Sequence, residues 1–158
     1  MPPAPQDRAD IQVFREVTVI SQIMREVIGR RLPAGMTHAQ FDLLARFVRH
    51  GDGETPAELA RATMVTKGAV TNTLQRMEAK GFVAVLADVG DRRKKRVRVT
   101  RTGLAAYNAA VTALRGRNEA VRGAFTDDEF LEALPFLKAL RVFLEELVET
   151  PAREAASH

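Results

Sequence analysis

Between Gly90 and Gly103 the chain reads GDRRKKRVRVTRTG, with seven bases (Arg92, Arg93, Lys94, Lys95, Arg96, Arg98 and Arg101) beside the single acid Asp91. Cations at that density repel one another, and a polyanion such as a nucleic-acid backbone is the partner that neutralises them. Val97 and Val99 alternate with Arg96 and Arg98. A disordered basic tail has no use for valines, whereas a strand with one apolar and one basic face does.

A second stretch, TKGAVTNTLQRMEAKG at residues 66–81, offers a different chemistry. At ~100° per residue, Val70, Leu74 and Met77 share one helix face, and Gly68, Asn72, Gln75 and Ala79 lie opposite, flanked by Thr71 and Arg76. Asn72 and Gln75 carry a donor and an acceptor side by side, which suits them to base edges in a major groove, while Lys67 and Arg76 can also reach phosphate. A solvated polar face is the plainer reading, and the neighbouring basic run weighs against it. Thr55 and Thr66 sit where helix caps belong, with first-turn amides that can face phosphates.

Other chemistries find little support. The chain has no cysteine, which removes disulfides, thiolate metal sites and thiol redox sensing. His38 and Asp42 lie four apart on one helix, but no third ligand has a supporting spacing, so no metal and no cofactor are expected. Asp127, Asp128 and Glu129 read as helix-start residues complementing the dipole rather than as catalytic carboxylates. No phosphate loop, zinc-helix motif or nucleophile pattern is present, and an enzyme is not expected. The amino-terminal MPPAPQDRAD lacks the form of a signal peptide, and no apolar run nears the ~20 residues that span a bilayer, so a cytoplasmic protein without a membrane partner is the expectation.

These residues need elements to position them. From Arg61 to Arg101 there are eleven bases and three acids, or +8, and the rest of the chain is −4. A helix is predicted over 8–31 from Ile11, Phe14, Thr18, Ser21, Met24 and Ile28, ended by Pro33 and Gly35. Thr37 with Gln40 opens a second helix, whose predicted stripe is Phe41, Leu44 and Val48. GDGE at 51–54 reads as a turn. Thr55, Pro56 and Glu58 open a third helix, and Thr66 starts a fourth that stops at Gly81. Two short helices joined by ATMV make a helix-turn-helix candidate. FVAVLA, DVGDRR and KRVRVT follow as strand, loop and strand, a hairpin wing in which the valines face the core. Thr100 caps a long helix to about Gly123 with the stripe Leu104, Tyr107, Val111 and Leu114. Thr126 and Glu129 open a last helix that Pro135 is expected to kink or interrupt.

MTHAQFDLLARF, TPAELARATMVTKGAVTNTLQRMEAKGFV and DRRKKRVRVTRTG, in that order and spacing, make residues 36–103 resemble the MarR family of winged-helix transcription regulators. The turn departs from the family pattern by carrying Thr63-Met64 in place of an apolar residue and glycine, which bears on its geometry and not on the assignment. The resemblance implies a homodimer with intertwined terminal helices and two winged lobes on adjacent major grooves of double-stranded DNA. It also implies release by a small-molecule effector, with repression the common outcome and activation known. In the family pattern Asp91 pairs with Arg93 and orients it towards the minor groove, with Arg92 beside it at the tip; Lys94, Lys95 and Arg96 are left to neutralise phosphates.

The expected fold is therefore mainly α with a small β-hairpin wing. An amino-terminal dimerisation helix (8–35) precedes a winged helix-turn-helix lobe (36–103) and carboxy-terminal dimerisation helices (104–150), with flexible tails at 1–7 and 151–158. The expected function is sequence-specific DNA binding in transcription regulation. Its rival is a sequence-tolerant architectural DNA binder, which the base-reading chemistry of Asn72 and Gln75 disfavours. The effector pocket is not located by these patterns.

Overall fold

The computed structural model describes the backbone of residues 8–155 and the side chains of 8–148. Of the expected tails, 1–7 and 156–158 lie outside the described residues, and 151–155 continue the last helix. The elements run α1 (Ala9–Arg31), α2 (His38–His50), α3 (Pro56–Thr63), α4 (Lys67–Ala79), β1 (Val83–Ala87), β2 (Lys95–Val99), α5 (Arg101–Ala124) and α6 (Asp127–Ala155). The chain divides after Leu114 into two compact units. Among the described residues no helix is long and apolar enough to cross a membrane.

The first unit is organised by its caps. The Thr37 hydroxyl accepts the Gln40 N–H and the Gln40 side chain accepts the Thr37 N–H, closing a capping box on α2; Thr55 and Glu58 do the same on α3. Gln40 is almost fully buried, and it is satisfied because its Oε1 also takes the Lys80 ammonium at 3.1 Å. Lys80 further donates to the Gly35 carbonyl, so one member of the basic segment is tied into the scaffold.

The core under these helices is Leu43, Leu44, Phe47, Leu59, Val70, Leu74, Met77, Val83 and Val97. Val70, Leu74 and Met77 are the inward face of α4, as their spacing predicts. On α2 the buried line is Gln40, Leu43, Leu44 and Phe47; Leu44 is in the predicted stripe, but Val48 is exposed. The face turned because a polar residue, Gln40, belongs to it. In α5 the buried positions are Gly103, Ala110 and Leu114, with Tyr107 half-buried, while Leu104 and Val111 are exposed. Small residues give the close face there, and weighting by bulk had favoured its neighbours. Tyr107 stacks on Phe41 at 5.8 Å between ring centres.

β1 and β2 pair antiparallel from Val83 opposite Val99 to Ala87 opposite Lys95. The segment 51–54 is more than a turn: Gly53 N–H donates to Val97 O (2.7 Å) and Val97 N–H to Glu54 O (3.0 Å), so it lies along β2. The Val-Thr-x-x-Gly ending of the wing has a structural cause. Thr100 donates its N–H to Phe82 O and accepts the Gly103 N–H on its hydroxyl, capping α5.

In the second unit, Thr126 and Glu129 form the expected box at the start of α6. The helix then continues through Pro135 without interruption. Proline removes one backbone donor, and a helix of 29 residues keeps the rest of its ladder.

Candidate nucleic-acid interface

α3, the turn and α4 form the helix-turn-helix, and the turn closes with Met64 in the left-handed region, φ 54° and ψ 35°. That is the conformation a glycine adopts freely, so the turn keeps its geometry with a methionine in it. Thr66 then caps α4 through Ala69 N–H. Here the two helix starts differ. At α3 the Glu58 carboxylate covers Thr55 N–H (2.7 Å), whereas α4 has Ala69 at the corresponding position and so no side chain there to take the Thr66 N–H.

Thr66, Lys67, Gly68, Thr71, Asn72, Gln75 and Arg76 are all exposed along α4, and Thr55 is half-buried at the head of α3. Arg92, Arg93, Lys94 and Lys95 are exposed on the wing, and Asp91 is half-buried at its tip. Between them runs a groove of about 470 Å³ lined by Thr55, Arg61, Lys67, Arg93, Lys94 and Lys95, among others. Thr55, Lys67, Arg93, Lys94 and Lys95 of the predicted residues thus line one groove, and Thr71 and Gln75 line a second one with Lys95. Lys67, Arg76, Arg92, Arg93, Lys94 and Lys95 make no ion pair with any acid among the described residues.

The three acids of the basic segment are occupied with the wing's own backbone. Glu78 accepts Val85 N–H, Asp91 accepts Arg93 N–H (3.0 Å), and Asp88 accepts Gly90 and Asp91 N–H at 2.8 and 3.0 Å. Asp91 therefore shapes the tip through the Arg93 backbone rather than by pairing with its guanidinium. Asp88 also binds the Arg96 side chain, and these contacts, Arg96 first, hold its carboxyl down from 3.8 to about 2.

Arg96 and Arg98 depart from the expectation for the run. Arg96 is bound to Asp88 and donates to Gly53 O at 3.0 Å, and Arg98 pairs with Asp52 at 3.0 Å. Composition gave every base in the run the same reading, and only the fold distinguishes those committed to carboxylates. Asp52, Glu54 and Asp88 are the site residues that sequence reasoning missed. Asp88 did carry a signal, an Asp two residues before a glycine in a hairpin loop, the pattern of a turn in which the carboxylate takes the following N–H groups. Glu54 pairs with Arg46 of α2 through two bonds of 2.9 and 2.7 Å, and this raises the Arg46 pKa. His38 and Asp42 pair with each other at 2.9 Å, and burial raises the Asp42 pKa.

A helix-turn-helix with a basic hairpin beside its exposed helix defines a winged helix-turn-helix protein. A MarR family model matches residues 34–94. The chain is 30% identical over 105 residues to the HTH-type transcriptional repressor NicR of Pseudomonas putida, an alignment covering 66% of each. It is 29% identical to the transcriptional activatory protein BadR of Rhodopseudomonas palustris over 78% of this chain and 72% of BadR. The chain spans just under two thirds of NicR's length. Among solved structures it is similar to a mutant MarR from E. coli complexed with operator DNA, at 26% identity and a TM-score of 0.73, covering 87% of this chain and 99% of that one. The chain belongs to the MarR family, and its relatives NicR and BadR are transcriptional regulators, not enzymes.

Proposed function

We propose that this regulator binds a pseudo-palindromic operator in double-stranded DNA as a homodimer, acting as a repressor that a small-molecule effector releases. The observation that carries the DNA reading is the groove in which Lys67 at the start of α4 faces Arg93, Lys94 and Lys95 of the wing, with Gln75 lining a neighbouring groove beside Lys95. Asn72 and Gln75 read base edges in the major groove, with Thr71 and Gly68 allowing close approach. Arg92 and Arg93 enter the minor groove, where a planar guanidinium suits the narrow, negative walls. Lys67, Arg76, Lys94 and Lys95 neutralise phosphates, and the amide end of α4 at Thr66 faces the same backbone. The likeness to a MarR bound to its operator supports this arrangement. Repression and effector release follow the pattern that family membership implies, and the name of NicR supports the repressor reading.

The test is affinity on two duplexes, one recovered by the protein from a randomised library and one scrambled, each titrated with salt. Asn72→Ala and Gln75→Ala should each cost ~1 to 3 kcal/mol on the selected duplex and little on the scrambled one, with the salt slope unchanged. Lys95→Ala should weaken both alike and lower the slope by about one unit. Equal losses on both duplexes for Asn72→Ala and Gln75→Ala would move the assignment to architectural DNA binding.

A further inference from the structure

The two arginines that interleave with the wing valines are held by one repeated device. Asp52 takes Val99 N–H on Oδ2 (2.8 Å) and Arg98 Nη1 on Oδ1 (3.0 Å). Asp88 takes Gly90 and Asp91 N–H on Oδ1 and Arg96 Nε on Oδ2. Each carboxylate thus grips hairpin N–H groups, one for Asp52 and two for Asp88, together with one β2 side chain, the first at the root of the wing and the second near its tip. Gly53, between Asp52 and Glu54, adds hydrogen bonds to Val97 O and from Arg96 Nη1, and Glu54 fastens the segment to Arg46 of α2.

We propose that Asp52 and Asp88 are positioning residues for DNA binding: they hold Arg98 and Arg96 as struts of the wing, so that Arg92 and Arg93 meet the minor groove at a fixed distance from α4. The proposal rests on the DNA-binding reading above. A free hairpin carries the same charge, but it loses conformational entropy on docking and samples several grooves, so its arginines contribute less to discrimination. The struts convert part of the basic run from ligand into scaffold.

Charge and position make opposite predictions here. Asp88→Asn keeps an oxygen for the Gly90 and Asp91 N–H groups, removes the negative charge that pairs with Arg96 and makes the wing more positive. Were charge alone at work, every duplex would bind more tightly. With positioning, affinity for the duplex selected by the wild type falls about fivefold, and the scrambled duplex binds at least as well as before. Re-selection from the library then loses its A·T preference beneath the wing while the bases beneath α4 are unchanged. Arg96→Gln should give the same loss with an unaltered salt slope, and the double variant should be no worse than either single one.

A salt slope lowered by about one unit in Arg96→Gln would make it a phosphate ligand and overturn the proposal. So would an Asp88→Asn protein that re-selects the wild-type sequence at wild-type affinity. A wild-type protein that enriches no sequence overturns the DNA reading and this proposal with it; one that enriches a site while the variants match it overturns the positioning role alone. If Asp88→Asn melts well below the wild type, Asp52→Asn and Arg98→Gln at the other end of β2 carry the same comparison.

Discussion

At Gly103 a β-carbon would stand 2.1 Å from the carbonyl oxygen of Phe82 and 3.1 Å from a Val99 methyl. The obstacle is backbone, and that carbonyl also accepts from Thr100, so neither partner can yield without opening the junction of wing and α5. Gly103→Ala should therefore cost about 3 kcal/mol, read from urea unfolding midpoints. A neutral substitution would show that α5 can slide along the wing root. Asp88 gives a prediction with a definite sign. Its carboxyl is depressed from 3.8 to about 2, so it favours the folded state above 3.8, and that contribution is lost as pH falls towards 2. Asp88→Asn should be less stable than the wild type at neutral pH, and the two unfolding midpoints should converge through that acid window. A constant offset from neutral pH into acid would mean that Asp88 is not the group titrating.

The turn between α3 and α4 contains the one non-glycine residue of positive φ among the described residues, Met64. A left-handed conformation costs a side-chain-bearing residue roughly 1–2 kcal/mol, and glycine returns part of that through its freer unfolded chain. Met64 is exposed, so little packing is forfeited, and Met64→Gly should raise stability by ~0.5 to 1 kcal/mol in the same unfolding assay. A loss would locate the value of Met64 in contacts its exposure does not suggest. The same turn shows what a single sequence exposes and what it conceals. Thr37 with Gln40, Thr55 with Glu58 and Thr126 with Glu129 were readable because a capping box joins residues three apart. The face of α4 was readable because its polar and apolar residues segregate cleanly. Arg96 and Arg98 were not, since their partners are fixed by pairing: Asp52 lies 46 residues before Arg98 and meets it only once the 51–54 segment lies along β2. The buried line of α5 escaped for a related reason, because Gly103 and Ala110 are selected by close approach and carry almost no hydrophobic signal.

α1 has 23 residues and none is buried, although Ile11, Phe14, Ile20 and Ile23 are among them. In α6, Phe130, Leu134, Phe136, Leu137, Phe143 and Leu147 are exposed as well. Apolar surface on this scale is what the proposed homodimer would cover on each of the two helices. If folding is coupled to dimerisation, stability depends on protein concentration: each tenfold increase adds about 1.4 kcal/mol and should raise the melting temperature by ~2 to 4 °C. Ile20→Glu or Phe143→Glu, which would place a charge in the shared face, should shift sedimentation at micromolar concentration from dimer to monomer. On a duplex with two half-sites the monomeric variant should bind about 100-fold more weakly, because the second half-site no longer adds its effective concentration, while on a single half-site the two proteins should bind alike. A melting temperature that ignores dilution, together with monomeric sedimentation of the wild type, would remove the two-fold operator along with the dimer. Equal losses on the single half-site would instead place Ile20 and Phe143 in the folding of each subunit rather than between two of them.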